Sequence, residues 1–108
     1  MLYPCPYLDA TVELSDERAR HIGDRHPDLF PEHLARVEDV LAGPDEVRVS
    51  PRSSLTRLFS RWFADLRGGK HVVVVVAHER GRTGGHRVVT AYMTRRLSSK
   101  GDVEWKRD

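Results

Sequence analysis

Hydrophobic residues in the first 45 positions recur every three or four residues, which is the period of an amphipathic helix. Ser15 fits the N-cap of a first helix, because acidic residues follow it and would lie at the positive end of the helix dipole. Pro27 disfavours a helical conformation of the residue before it. We therefore expect this helix to end near Arg25 or His26.

A second helix is predicted to begin at Pro31, because proline is common in the first turn of a helix. The Gly43-Pro44 pair is typical of a helix end. Between these limits the apolar residues follow helical spacing, at Leu34, Val37, Val40 and Leu41.

Beyond residue 46 the period changes to two, which predicts strands. Gly68-Gly69 indicates a hairpin turn, and the run Val72–Val76 predicts a central strand buried on both faces. The predicted strands lie around Val47 and Val49 and at Leu55–Asp65, Lys70–His78, Arg87–Arg96 and Val103–Trp105, with a polar turn at Glu79–Gly85 and a short early strand at Ala10–Glu13. We expect one α+β domain spanning residues 1–108, with two N-terminal helices packed on a roughly four-stranded antiparallel sheet.

Length and composition exclude some classes of protein. The chain has 108 residues, of which 39% are hydrophobic and 31% charged, as in ordinary globular domains. Its longest apolar run, Val72–Ala77, is far shorter than the roughly 18 residues that a membrane span needs. No secretory signal is visible, and the single cysteine, Cys5, cannot form an intramolecular disulfide. We therefore expect a cytoplasmic protein with no membrane partner.

The net charge of +2 conceals a strong asymmetry. Residues 1–46 hold 11 acidic and 4 basic residues, whereas residues 47–108 hold 5 acidic and 14 basic residues. A half-chain with this excess of positive charge is a candidate surface for a polyanion. The alternative is that the two halves neutralise each other in the fold, and the charge pattern alone does not decide between them.

The first candidate for chemistry is the segment HIGDRHP, from His21 to Pro27. At helical spacing, Arg18, His21 and Arg25 share one partly exposed face, and His26 lies at the negative end of the helix dipole. Two imidazoles can serve as general base and general acid. These residues are equally typical of a solvated helix face. The six histidines and one cysteine show no zinc-ligand spacing, so we expect neither a metal ion nor a cofactor.

The second and third candidates lie on predicted strands. Alternation places Arg57 and Arg61 on the same face as two phenylalanines, an arrangement that suits phosphate binding beside a stacked base. The same pattern is found where aromatic side chains fill a core and arginines extend from its edge. Thr90 and Tyr92 share one face of a later strand, where their hydroxyls can donate to phosphate oxygens, although both residue types are common in strands.

The sequence offers no nucleophile of its own. It has no Ser-His-Asp spacing, no glycine-rich phosphate loop before a helix and no cysteine suited to catalysis. RNA supplies its own nucleophile, the 2′-hydroxyl, so that a protein needs only a base, an acid and cations near the phosphate. RNA cleavage is therefore the reaction that this set of residues favours.

The order of several short motifs resembles the phage-type branch of the Barnase–EndoU–colicin–RelE (BECR) nuclease superfamily. The likeness runs from about residue 21 to residue 105. It rests on HIGDRHP (His21–Pro27), LAGPDEV (Leu41–Val47), the strand arginine Arg61, the valines Val72–Val76, VVTAYMT (Val88–Thr94) and KGDVEW (Lys100–Trp105). The sequence departs from the family pattern at Ser60, where an aromatic residue is expected, and at Met93, where proline is common.

The resemblance implies a metal-independent endoribonuclease of toxin or effector type. It would cleave tRNA or mRNA to a 2′,3′-cyclic phosphate, and a cognate antitoxin or immunity protein would be its protein partner. It carries the helix histidine of the family to His21 or His26, the strand arginine to Arg61 and the hydroxyl of the last long strand to Thr90, with Tyr92 adjacent. Together with the patterns above, we predict that His21, His26, Arg61 and Thr90 are catalytic and that Arg25, Arg57 and Tyr92 bind the substrate. The alternative is a non-catalytic module on a RelE/ParE-like scaffold that binds RNA or protein. The two differ in whether His21, Arg61 and Thr90 converge on one phosphate.

Overall fold

The structure is a computed structural model that describes residues 1–79 and 85–108. Over these residues the chain forms seven strands, two α-helices and one short 3₁₀ helix at Pro6–Leu8. In chain order the elements are β1 (Leu2–Cys5), β2 (Ala10–Glu13), α1 (Asp16–Arg25), α2 (Ala35–Ala42), β3 (Glu46–Ser50), β4 (Ser53–Phe63), β5 (Lys70–His78), β6 (His86–Thr94) and β7 (Val103–Lys106).

All seven strands join one strongly curled sheet in the order β1-β2-β6-β5-β4-β3-β7. The pairing of β2 with β6 is parallel, whereas each other neighbouring pair is antiparallel. The expected four-stranded antiparallel sheet is therefore wrong. The prediction failed for two physical reasons. The strand β1 contains Pro4, which weakens a strand pattern but is tolerated at a sheet edge. The parallel pair joins positions as distant as Val12 and His86, which no local pattern indicates.

The valine-rich strand β5 occupies the centre of the sheet, as predicted. Val72, Val74 and Val76 face the helices and are buried, and Val73 is buried on the opposite face. The core also holds Val12, Leu14, Ile22, Leu29, Val37, Val40, Leu41, Val47, Phe59 and Val88. The predicted burial on both faces is thus confirmed for Val73 but not for Val75, which is half-buried on the face away from the helices.

The first helix agrees with its prediction. Ser15 is the N-cap, and its hydroxyl accepts a hydrogen bond from the backbone N–H of Arg18 at 3.1 Å. The helix ends at Arg25 with His26 as C-cap, whose backbone N–H donates to Ile22. The exposed acids of its first turn and the buried side chain of Ile22 define its two faces.

The second helix is shorter than predicted. Its end before Gly43 is confirmed, but it begins at Ala35 rather than at Pro31. Residues 27–34 form turns instead, with Leu29 and Phe30 buried in the core. Backbone hydrogen bonds just after Pro31 run mainly to the third residue back, as from Leu34 to Pro31 and from Val37 to Leu34, and such bonds close turns rather than an α-helix. Neither α-helix of the described residues is long and apolar enough to cross a membrane.

The hairpin between β4 and β5 closes through Gly68 and Gly69, both with positive φ, as expected from the sequence. The predicted turn after β5 lies largely on residues 80–84, outside the described residues. Its ends are joined by a hydrogen bond from the backbone N–H of Glu79 to the carbonyl of Gly85.

Candidate active site

A groove of about 600 Å³ lies between α1 and β6. Five of the seven site residues predicted from the sequence line it together: His21, Arg25, His26, Thr90 and Tyr92. Its other lining residues are Arg18, Ile22 and Val89. The structure therefore brings the helix histidines and the strand hydroxyls to one place.

The path of the chain explains this groove. The parallel pairing of β2 with β6 covers only the start of β6, at His86 and Arg87. The chain then turns into α1, which contacts the rest of β6 along the side that β2 leaves free. Ile22 is buried beneath the helix, so the residues at positions 18, 21 and 25 are left to line the groove.

On the strand side, the register of β6 with β5 orients the hydroxyls. Thr90 lies opposite Val75 and Tyr92 opposite Val73, beyond an irregularity in the pairing next to Val88. The Tyr92 ring lies 6.0 Å from the ring of His26. Burial raises the pKa of Tyr92, so its hydroxyl keeps its proton at neutral pH and can donate a hydrogen bond.

The groove is positively charged. Arg18 and Arg25 line it without an ion pair to any described residue, and no carboxylate is among its lining residues. His21 is the most open member: 61% of its side chain is exposed, and its Nε2 atom lies 3.7 Å from the carboxylate of Glu17. A phosphate in this groove would meet guanidinium, imidazole and hydroxyl donors.

Arg61 is not brought to the groove. Its guanidinium donates to the carbonyl oxygens of Asp39, at 3.3 Å, and Gly43, at 3.5 Å, at the end of α2. Arg61 pairs with Val72 on the helix-facing side of the sheet, whereas Tyr92 pairs with Val73 and faces the other side. Two strand spacings of about 4.8 Å each also separate β4 from β6.

Arg57 is also placed elsewhere. It donates to both carboxylate oxygens of Glu104, at 2.8 and 3.2 Å, and the hydroxyl of Tyr7 donates to the same carboxylate. These hydrogen bonds lower the pKa of Glu104, while burial and the carboxylate raise the pKa of Tyr7 to about 12. The Arg57 charge is therefore already paired. The rings of His78 and His86, tilted by 38° with their centroids 4.5 Å apart, line the same surface.

Sequence reasoning placed Arg18 beside His21 and Arg25 without giving it a role, and it missed Glu104. Arg18 shares a helix face with His21 and Arg25, so spacing alone places it beside them. Glu104, in contrast, meets Arg57 across 47 positions of the chain, and no local pattern indicates that contact. Over residues 1–79 and 85–108, no three His, Cys, Asp or Glu side chains are grouped closely enough to hold a metal ion.

Comparison of the chain with protein-family models, with curated proteins and with solved structures gives no match.

Proposed function

We propose that this protein is an endoribonuclease of toxin type that cleaves RNA without a metal ion. The observation that carries the proposal is the convergence of His21 and His26 with two unpaired arginines and two hydroxyl side chains in one groove. An acid, a base and cations for the phosphate are the groups that cleavage by the RNA 2′-hydroxyl requires.

The reaction proceeds by attack within the RNA. One imidazole removes the proton of the 2′-hydroxyl, and the 2′-oxygen forms a bond to the adjacent phosphorus. The bond from phosphorus to the 5′-oxygen breaks, and the other imidazole, protonated, gives its proton to that oxygen. The products are a 2′,3′-cyclic phosphate and a 5′-hydroxyl.

The other groove residues stabilise the phosphate. Arg18 and Arg25 stabilise the negative charge of the pentacoordinate phosphorane. The sequence resemblance gave this role to Arg61. Thr90 and Tyr92 donate hydrogen bonds to its oxygens. Tyr92 suits this role because its raised pKa keeps the hydroxyl protonated.

A second candidate is a module that binds RNA in the same groove without cutting it. The exposure of His21 favours this alternative, because a residue with 61% of its side chain in water is less enclosed than a typical catalytic base. Both candidates predict RNA binding, and only the first predicts new chain ends.

The test is incubation of the purified protein with tRNA and mRNA in EDTA, followed by analysis of the product ends. We expect cyclic phosphate ends with the wild type and a loss of at least about 100-fold in rate for His21→Gln and His26→Gln. His33→Gln, outside the groove, is the matched control and should cleave normally.

Expression of the wild type should also arrest growth, and His21→Gln should relieve the arrest. Retained RNA binding with no cleavage by the wild type would favour the binding module. Full activity of both groove variants would refute the assignment.

A further inference from the structure

The groove continues into a second cavity on the sheet face that points away from α2. This cavity has a volume of about 360 Å³, and Tyr92 lines both it and the groove. Its floor is formed by Leu58, Val73 and Val75, which lie side by side on three neighbouring positions of β4 and β5. An apolar floor next to a phosphate-binding groove suits a flat, mostly apolar group.

Two buried polar groups face this floor. Ser60 is only 3% exposed, and it lines the cavity beside Val73, with which it pairs across β4 and β5. Glu46 is 8% exposed, and its carboxylate accepts a hydrogen bond from Arg48 at 2.8 Å, which leaves further acceptor positions. The Ser60 hydroxyl can donate or accept a hydrogen bond and the Glu46 carboxylate can accept one, so both can bond to the polar edge of a ligand in the cavity.

The rim of the cavity carries unpaired positive charge. Arg52 and Lys100 are exposed there, and neither forms an ion pair with a described residue. Arg48 also donates to the carbonyl oxygen of Gly101, at 3.0 Å, and so holds the segment after β6 at one side of the cavity. The rim therefore suits an anionic chain, while the floor suits an uncharged group attached to it.

We propose that this cavity binds a nucleobase of single-stranded RNA, adjacent to the phosphate held in the groove. The inference rests on the proposed function, from which it takes the position of the backbone. One face of the base would lie on the floor, and its edge would form hydrogen bonds with Ser60 and Glu46. The rim cations would contact the flanking phosphates. A base in a duplex is stacked on both sides and does not reach such a floor, so the substrate is unpaired RNA.

The test uses a mixed-sequence RNA hexanucleotide with 2′-O-methyl groups, which blocks cleavage. A second set of probes carries one base-free sugar at each position in turn. We expect the wild type to lose about tenfold in affinity when one particular base is missing, the order of one base contact. Val75→Phe fills the cavity and should weaken binding of the complete hexanucleotide about tenfold, with no further loss from the missing base.

Ala77→Leu is the matched control, because it adds bulk to the same face of β5 at a residue that does not line the cavity. Ser60→Ala provides a variant that does not disturb packing, and it should weaken binding a few-fold through the loss of one hydrogen bond. The inference is overturned if both Val75→Phe and Ser60→Ala bind like the wild type, or if no single missing base matters.

The outcomes separate this inference from the proposed function. If unmodified RNA is cut in EDTA but affinity is indifferent to the cavity variants, the nuclease stands and the base site fails. If affinity depends on one base and on Val75 while unmodified RNA stays intact, the base site stands and the nuclease fails.

Discussion

The guanidinium of Arg61 lies at the end of α2, where it donates to the carbonyl oxygens of Asp39 and Gly43. The Asp39 carbonyl lies in the last turn and also accepts a hydrogen bond from the N–H of Gly43 at 3.0 Å, and Gly43 is the C-cap, at the negative end of the helix dipole. The charge on Arg61 therefore stabilises α2 and attaches it to β4. The ring of Phe63, 5.6 Å from the guanidinium carbon, supports the same position.

Arg61 and Arg25 should have opposite effects when replaced. Arg61→Met keeps the aliphatic stem but removes the helix contacts, so we expect a loss of about 1 kcal/mol in the free energy of unfolding and an unchanged kcat for RNA cleavage. Arg25→Met should leave stability unchanged and lower cleavage at least about tenfold. Urea denaturation and rate measurements on the folded variants check both. A large drop in kcat for Arg61→Met, with Arg25→Met unaffected, would return the phosphate role to Arg61.

Gly69 should be intolerant of a side chain. Its φ is +106°, and a Cβ there would overlap the indole ring of Trp62, which meets the His71 ring edge to face with ring centroids 4.8 Å apart. We expect Gly69→Ala to lower the free energy of unfolding by about 2 kcal/mol, through backbone strain and displacement of the indole. Gly68→Ala is the control, because its φ of +79° is also unfavourable but open space surrounds it, so its cost should be about 1 kcal/mol. Equal costs in urea denaturation would show that the indole contact is unimportant.

His86 should make stability depend on pH. Burial lowers its pKa, and the neighbouring His78 and Arg57 lower it further. A histidine whose pKa is depressed in the folded state binds its proton more readily when unfolded, so stability rises with pH and its contribution is complete above the unfolded pKa of about 6.5. As the pH falls from about 6.5 towards the folded pKa, this contribution is lost.

The measurement is the melting temperature of the wild type and of His86→Gln between pH 7.5 and pH 5. We expect the wild type to lose stability across this interval and the variant to lose less. His71→Gln, on the same sheet but away from the His78 pair, should follow the wild-type slope. Parallel pH profiles for wild type and His86→Gln would contradict the prediction.

Glu104 should contribute to stability only when it is ionised. Its pKa is lowered by hydrogen bonds from Arg57 and Tyr7, so the folded state favours the carboxylate. This contribution is present above the unfolded pKa of about 4.3 and is lost as the pH falls through the lower folded pKa. Glu104→Gln should therefore cost about 1 kcal/mol at pH 7, the order of a partly exposed ion pair, and much less near pH 3. Thermal melts at the two pH values check the difference, which would be constant if the charge were irrelevant.

The sequence was informative wherever a local pattern decides the structure. The cap at Ser15, the stop at His26 and the buried valine strand follow from neighbouring residues, and so does the alternation that separates Arg61 from Trp62. Helical spacing likewise grouped His21 with Arg25, and alternation grouped Thr90 with Tyr92, and both pairs line one groove.

The sequence did not indicate which faces of the strands and helices pack together. The pairing of Arg61 with Val72 and of Tyr92 with Val73 puts the arginine and the hydroxyl on opposite sides of the sheet. A register shift of one residue would have put them on the same side of the sheet, and register depends on long-range packing rather than on local period. The hydrophobic pattern of the sequence also does not predict that β2 pairs with β6, although this pairing decides where α1 lies.

That parallel contact has a further consequence. The two walls of the groove come from opposite ends of the chain, and close to the groove they are fastened through only two paired positions, Val12 with His86 and Glu13 with Arg87. A ligand that bridges α1 and β6 therefore strengthens the contact between β2 and β6, which has the fewest paired positions of the described sheet. Its binding free energy adds to the stability of the folded state, so the ligand-bound protein should have the higher melting temperature. The ligand-free protein should open first where β2 meets β6.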